Sequence, residues 1–247
     1  MKKTLVLMMM MMLLIPISIS AQPSGNELLK KVDENRITDT QIATSKMIIN
    51  GRRGSRTVEA KSWQKGADDS FTEYLAPARE KGTKMLKLGD QLWTYTPSTD
   101  RIVLISGHLL RQSVMGSDLS YEDLMEDPLL QNVYNAEIKG EDTLLDRPVW
   151  VLELQAKKED ASYDKCKIWV DKERFISLKE NLYAKSGKLL KTIDIHEVME
   201  ADGRWVAKKA LYKDVLKEGK GTAMMIDSIE FNKDLPAYIF SKASLRK

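Results

Sequence analysis

The sequence has 247 residues, 43% hydrophobic and 30% charged, and its 39 basic and 36 acidic side chains leave a formal charge of +3. A balance this even, with no basic cluster along one helix face, argues against a nucleic-acid partner. The single cysteine, Cys166, excludes an internal disulfide.

The N-terminus reads as a secretory signal peptide, residues 1–21. Lys2 and Lys3 form a basic start, Leu5–Ile17 an apolar run of mostly Leu and Met, and Ser18-Ile19-Ser20-Ala21 a small-residue stretch. The run is short for a membrane span, and no second run of about 18 apolar residues follows. Cleavage is expected after Ala21, or else after Ser20. No cysteine follows the apolar run, so no lipid-anchored N-terminus is expected. Losing Lys2 and Lys3 takes the charge from +3 to +1. Residues 22–247 carry no composition break and are read as a single β domain.

Ser24-Gly25-Asn26-Glu27 followed by LLKKVDENR predicts a short amphipathic helix. Ser24 and Glu27 have capping-box spacing, and Leu28, Leu29 and Val32 make a narrow apolar face that must dock on something. Beyond it the period changes to two. Strands are expected at 41–50, 56–64, 70–75, 82–88, 91–96 and 101–105. After an interrupting segment they resume at 133–139, 148–155, 164–171, 175–183, 188–199, 205–215 and 222–231. Turn residues separate them, among them Gly89-Asp90, Ser186-Gly187 and Ala201-Asp202-Gly203. Regular short strands with hardly any helical pattern indicate a mainly β, antiparallel architecture.

Alternation assigns faces. Trp150, Leu152 and Leu154 share one, as do Leu86 with Leu88, Trp93 with Tyr95, Ile168 with Val170, and Ile193 with Ile195. Lys84, Lys87, Lys167, Lys179 and Asp194 are placed on a wet opposite face. An apolar face this wide needs a cover. The candidates are the first helix, the segment Gly107–Met125 and the C-terminal AYIFSKASL. In the second of these, Ser120 caps one to two helical turns with Asp123 at the third position, Met115, Leu119, Leu124 and Met125 face the sheet, and Gly107 and Gly116 allow bends. Two readings of this segment stand side by side: the closed end of a barrel, and a moving lid.

Catalytic patterns are missing. There is no Gly-x-Ser-x-Gly, and His108 and His196 are the only histidines. Both read as polar surface residues, without a nucleophile in register. Two histidines and one cysteine, widely separated, lack metal-site spacing. Gly51-x-x-Gly54 and Gly219-x-Gly221 are turn glycines with no helix behind them to hold a phosphate. The carboxylates Glu122, Asp123, Glu126 and Asp127 read as a solvated cluster. No enzyme activity, cofactor or metal is expected.

Residues 77–124, PAREKGTKMLKLGDQLWTYTPSTDRIVLISGHLLRQSVMGSDLSYEDL, resemble the outer-membrane lipoprotein-sorting proteins of the LolA-like superfamily. The features that carry the resemblance are Lys81-Gly82-Thr83 before an apolar strand, Leu92-Trp93-x-Tyr95-x-Pro97, and Met115–Leu124. Trp150 and Ile168-Trp169-Val170-Asp171 add a weaker match. The resemblance implies one curved antiparallel sheet, a half-open barrel of about 11 strands, with short helices enclosing an apolar cavity. It further implies a soluble, monomeric periplasmic carrier that shelters lipoprotein acyl chains or another lipid, between an inner-membrane transporter and an outer-membrane acceptor. Each methylene left in water costs about 0.8 kcal/mol, so acyl chains need such shelter. The alternative is a lipid- or peptide-sensing accessory module of a membrane protein such as a hydrophobe exporter. The residues expected at the cavity or its lid are Leu86, Trp93, Tyr95, Met115, Leu119, Leu124, Trp150, Leu152, Leu154 and Ile168.

Overall fold

The computed structural model describes residues 22–51 and 54–247. The expected signal peptide and its cleavage site, and Arg52-Arg53 in the first hairpin loop, lie outside the described residues. The chain begins with α1 (Gly25–Arg36), followed by β1 (Thr40–Gly51), β2 (Gly54–Lys65), β3 (Asp69–Ala76), β4 (Lys84–Leu88), β5 (Gln91–Thr96) and β6 (Arg101–Ile105). Two 3-10 turns then lead to the short helices α2 (Tyr121–Met125) and α3 (Leu130–Val133). The second half is β7 (Tyr134–Leu144), β8 (Arg147–Ala156), β9 (Lys165–Asp171), β10 (Ser177–Tyr183), β11 (Leu189–Ala201), β12 (Arg204–Asp214) and β13 (Gly221–Phe231).

All 13 strands join one antiparallel sheet, in the order β6-β5-β4-β3-β2-β1-β13-β12-β11-β10-β9-β8-β7. The expected half-open architecture is present, with 13 strands rather than about 11. Each hairpin pairs neighbours in sequence, and the one long-range pairing, β1 with β13, zips the two meanders together at the centre. Consequently β6 and β7, consecutive in the chain, lie at opposite edges. Thirteen strands laid flat would separate those edges by about 58 Å at ~4.8 Å per step. Bulges in the β1–β13, β2–β3, β10–β11 and β11–β12 pairings add twist and help the sheet curl. The segment between β6 and β7 must therefore cross the open mouth of the curl. That is the physical reason for an interruption at this point in a run of strands.

α1 starts with the expected capping box. Ser24 Oγ accepts from the Glu27 N–H at 3.2 Å, and Glu27 Oε2 accepts from the Ser24 N–H at 2.7 Å. Gly25 lies so close to β7 that a Cβ there would sit 2.3 Å from the Ala136 carbonyl oxygen. Asn26 Oδ1 also accepts from the Ala136 N–H at 2.8 Å. The helix thus seats Leu28, Leu29 and Val32 on Tyr134, Leu152, Leu154, Ile168 and Val170.

The expectation of one wet and one apolar face needs correction. On β4 the residues alternate between two covered faces: Met85 packs under the crossing segment, and Leu86 packs against the C-terminal 3-10 turns with Leu245. Lys84 and Lys87 are accordingly buried, not solvated. A strand covered on both sides loses the polar–apolar alternation that would reveal its inner face.

Candidate functional site

Three adjoining cavities open on the concave face. The largest, about 530 Å³, is lined from opposite halves of the sheet, by Ser70 and Lys87 on one side and Leu154, Ile168, Ile193 and Tyr212 on the other. Only a curled sheet brings those strands to a common space. Leu119 and Leu124 of the crossing segment form part of its wall. A second cavity of about 430 Å³ continues along β10–β13 and shares Arg36, Glu180, Ile193 and Tyr212 with the first. A third, about 180 Å³ and largely apolar, lies under Val114, Leu119 and Leu124, against Met47, Val58, Tyr74, Met85 and Met224.

The crossing segment is fastened at three points. Near its start, Asp118 is buried and ties to the β12–β13 region. Its Oδ2 accepts from the Thr222 hydroxyl at 2.7 Å and its Oδ1 from the Asp214 N–H at 3.0 Å, while Lys217 Nζ donates to Ser113 Oγ at 2.6 Å and to the Ser117 carbonyl at 2.7 Å. In the middle, α2 begins with the expected Ser120 capping box, and Asp123 takes hydrogen bonds from Lys191 Nζ and the Tyr163 hydroxyl. Near its end, buried Asp33 of α1 accepts from the Leu130 and Gln131 N–H groups, both at 2.9 Å. Gly107 and Gly116 adopt positive φ, 54° and 69°, and make the expected bends.

These clasps set the local electrostatics. Burial by itself raises the Asp123 carboxyl, but the Lys191 ammonium, the Ser120 N–H and the Tyr163 hydroxyl together hold it below its ordinary value. Glu126, next along, is raised by burial despite accepting from Ser162. Asp33 is raised by burial as well, against the two N–H groups it caps. Burial lowers the Lys87 amine. Cys166, buried beneath α1, is pushed up to about 12 by burial, which leaves it an inert thiol.

The expected site residues divide among three places. Leu119, Leu124, Leu154 and Ile168 meet around the largest cavity. Met115 packs in the apolar cluster beneath the crossing segment. Leu152 is fully buried under α1, and Trp150, at the margin of the same cluster, stacks on Phe175 with ring centroids 6.0 Å apart. Leu86, Trp93 and Tyr95 lie on the reverse face instead, with Phe71, Leu245 and Phe240. There Lys242 Nζ sits 4.1 Å from the Trp93 ring centroid. The strand alternation paired Leu86 with Leu88 and Trp93 with Tyr95, but not with the correct side.

Sequence reasoning missed the polar lining: Arg36, Lys87, Asp123, Tyr163, Glu180 and Lys191. A signal for one of them exists. Lys87 is two residues from Met85 on the same face, inside the short run Lys84–Leu88. His108 and His196 are both exposed. Among the described residues, no group of three or more His, Cys, Asp or Glu side chains is placed to hold a metal ion.

A family model described as "Uncharacterized protein" matches residues 66–247. No curated protein matches the chain. Among solved structures, a DUF1329 family protein from Desulfovibrio piger aligns with a TM-score of 0.83 at 24% identity, over 90% of this chain and 97% of that one. An outer membrane lipoprotein-sorting protein domain from Vibrio parahaemolyticus aligns at 0.79 and 25% identity, over 90% and 98%. A LolA superfamily protein from Nitrosomonas europaea aligns at 0.74 and 23% identity, over 90% and 100%. The chain belongs to the family whose model it matches, and its fold is LolA-like.

Proposed function

We propose that this protein is a non-catalytic carrier that shelters the acyl chains of lipoproteins, or another lipid, on the way to the outer membrane. The observation that carries the proposal is the covered cavity system on the concave face, walled by Leu119, Leu124, Leu154 and Ile168. The similarity to a lipoprotein-sorting domain supports it. In this proposal residues 1–21 direct export to the periplasm and are removed, and residues 22–247 work as one monomeric binding unit. An inner-membrane transporter loads the cargo and an outer-membrane acceptor receives it.

The energetics favour a cavity of this kind. A carrier must bind chains that each bury many methylenes at ~0.8 kcal/mol apiece, and must still release them. A groove that mixes apolar walls with polar groups, under a cover held by a few hydrogen bonds, meets both demands. Met47, Met85 and Met224, which line the third cavity, and Met115, packed in the same cluster, supply pliable packing for varied chains. The test is uptake of a fluorescent fatty acid by the mature protein. Saturable uptake that weakens in Leu124→Asp, with folding intact by circular dichroism, supports the carrier. Absence of uptake in the unmodified protein would overturn it.

A further inference from the structure

Four cations line the largest cavity: Arg36, Lys87, Lys191 and Lys213. Three are engaged by the protein itself. Arg36 Nη2 donates to Glu180 Oε1 at 2.6 Å, Lys191 is bound to Asp123, and Lys213 donates to the Lys217 carbonyl with Asp118 Oδ1 3.9 Å away. Lys87 differs. It is only 8% exposed, yet it makes no hydrogen bond or ion pair with any described residue. The carboxylates that influence it, Asp68, Asp127 and Asp69, do so from beyond ion-pair distance. Its stem is packed away while its ammonium, free of protein partners, opens into the cavity, where it can meet an anion supplied from outside.

The surroundings say what kind. Lys87 of β4 stands directly across from Ser70 of β3, on the face that opens into the cavity. Cross-strand neighbours have Cβ atoms about 5 Å apart, so the Ser70 hydroxyl is a second donor on the same wall of the cavity, beside the stem of Lys87. Leading away from this pair, the wall becomes apolar through Leu119, Leu124, Leu154 and Ile168. Resting on the carrier function proposed above, we infer that Lys87 and Ser70 form the head-group subsite of an anionic amphiphile. Its carboxylate or phosphate accepts from Lys87 and Ser70, and its chain runs along the leucine wall.

The test compares hexadecanoic acid with hexadecanol, which share a chain and differ in charge, in binding to the mature protein and to Lys87→Met and Lys87→Arg. The unmodified protein is expected to prefer the acid by about tenfold or more, the size of a hydrogen bond to a charged group. Lys87→Met is expected to bring that ratio near one, and Lys87→Arg to restore it. Equal binding of acid and alcohol by the unmodified protein overturns the subsite and leaves the carrier intact. Binding of neither overturns the carrier itself. A lysophosphatidic acid arm separates phosphate from carboxylate head groups, and tight binding of inorganic phosphate alone overturns the amphiphile in favour of a free anion. Thermal unfolding of each variant checks that a lost preference is not a lost fold.

Discussion

Leu152 and Leu124 should respond differently to the same truncation. Leu152 is fully buried beneath α1, so Leu152→Ala is expected to cost about 2–5 kcal/mol in urea denaturation. Leu124 is partly buried and already borders a cavity, so Leu124→Ala should cost well under that and act mainly on acyl-probe affinity. A Leu152→Ala variant as stable as the unmodified protein would contradict the packing described for α1. Asp171 acts at the same scale. It is fully buried, and burial pushes its carboxyl up, but the Arg147 guanidinium and the N–H groups of Glu173 and Arg174 hold it below the ordinary range. Residue types were legible here, but neighbours were not. The chain placed Lys87 on a strand, yet only the fold shows it buried and unpaired, because Lys87, Ser70 and Leu124 come from distant stretches.

At the scale of elements, α2 and its clasp give a pH prediction with a definite sign. Asp123 has a lower pKa folded than unfolded, so its contribution is present above the unfolded carboxylate value, about 3.9, and is lost as pH falls through the folded value. Glu126 has the opposite shift, and its contribution fades as pH rises from the ordinary value through the raised one. Other charged groups acting on α2 are Lys191 and Glu80, together with Glu122 on the helix itself. Protection of the amides of Tyr121–Glu126, taken relative to their intrinsic exchange rates, is therefore expected to fall at pH 3 relative to pH 5, and Asp123→Asn should flatten that acid response. Protection that does not change between pH 5 and pH 3 in the unmodified protein would contradict the clasp. The C-terminal 3-10 turns carry a second prediction. Leu245 is fully buried against Leu86 and Trp93 on the reverse face, so Leu245→Ala should lower stability by about 2–5 kcal/mol while acyl-probe uptake by the folded fraction persists. Both capping boxes were legible because each is written within four residues. The side of the sheet that the C-terminal turns cover was not, since period two marks two faces without saying which is inner.

For the whole molecule, the decisive feature is the β1–β13 pairing, which turns two meanders into one sheet and sends β6 and β7 to opposite edges. Local pattern located nearly every strand but could not reveal a pairing between residues 190 positions apart, such as Gln41 with Phe231. Once that pairing exists, VMGSDLSYEDLMEDP has to bridge the mouth of the curl, and its leucines and methionines become the cover of a cavity. The three fastening points divide this cover into sections, of which α2, held through Asp123, is the one facing both the largest cavity and the leucine wall. The most direct measurement is native mass spectrometry of the protein purified from its own host, followed by lipid extraction. A co-purifying acylated molecule, released when the clasp is broken by Asp123→Asn, is the predicted result. An empty protein that also takes up no acyl probe would contradict the account.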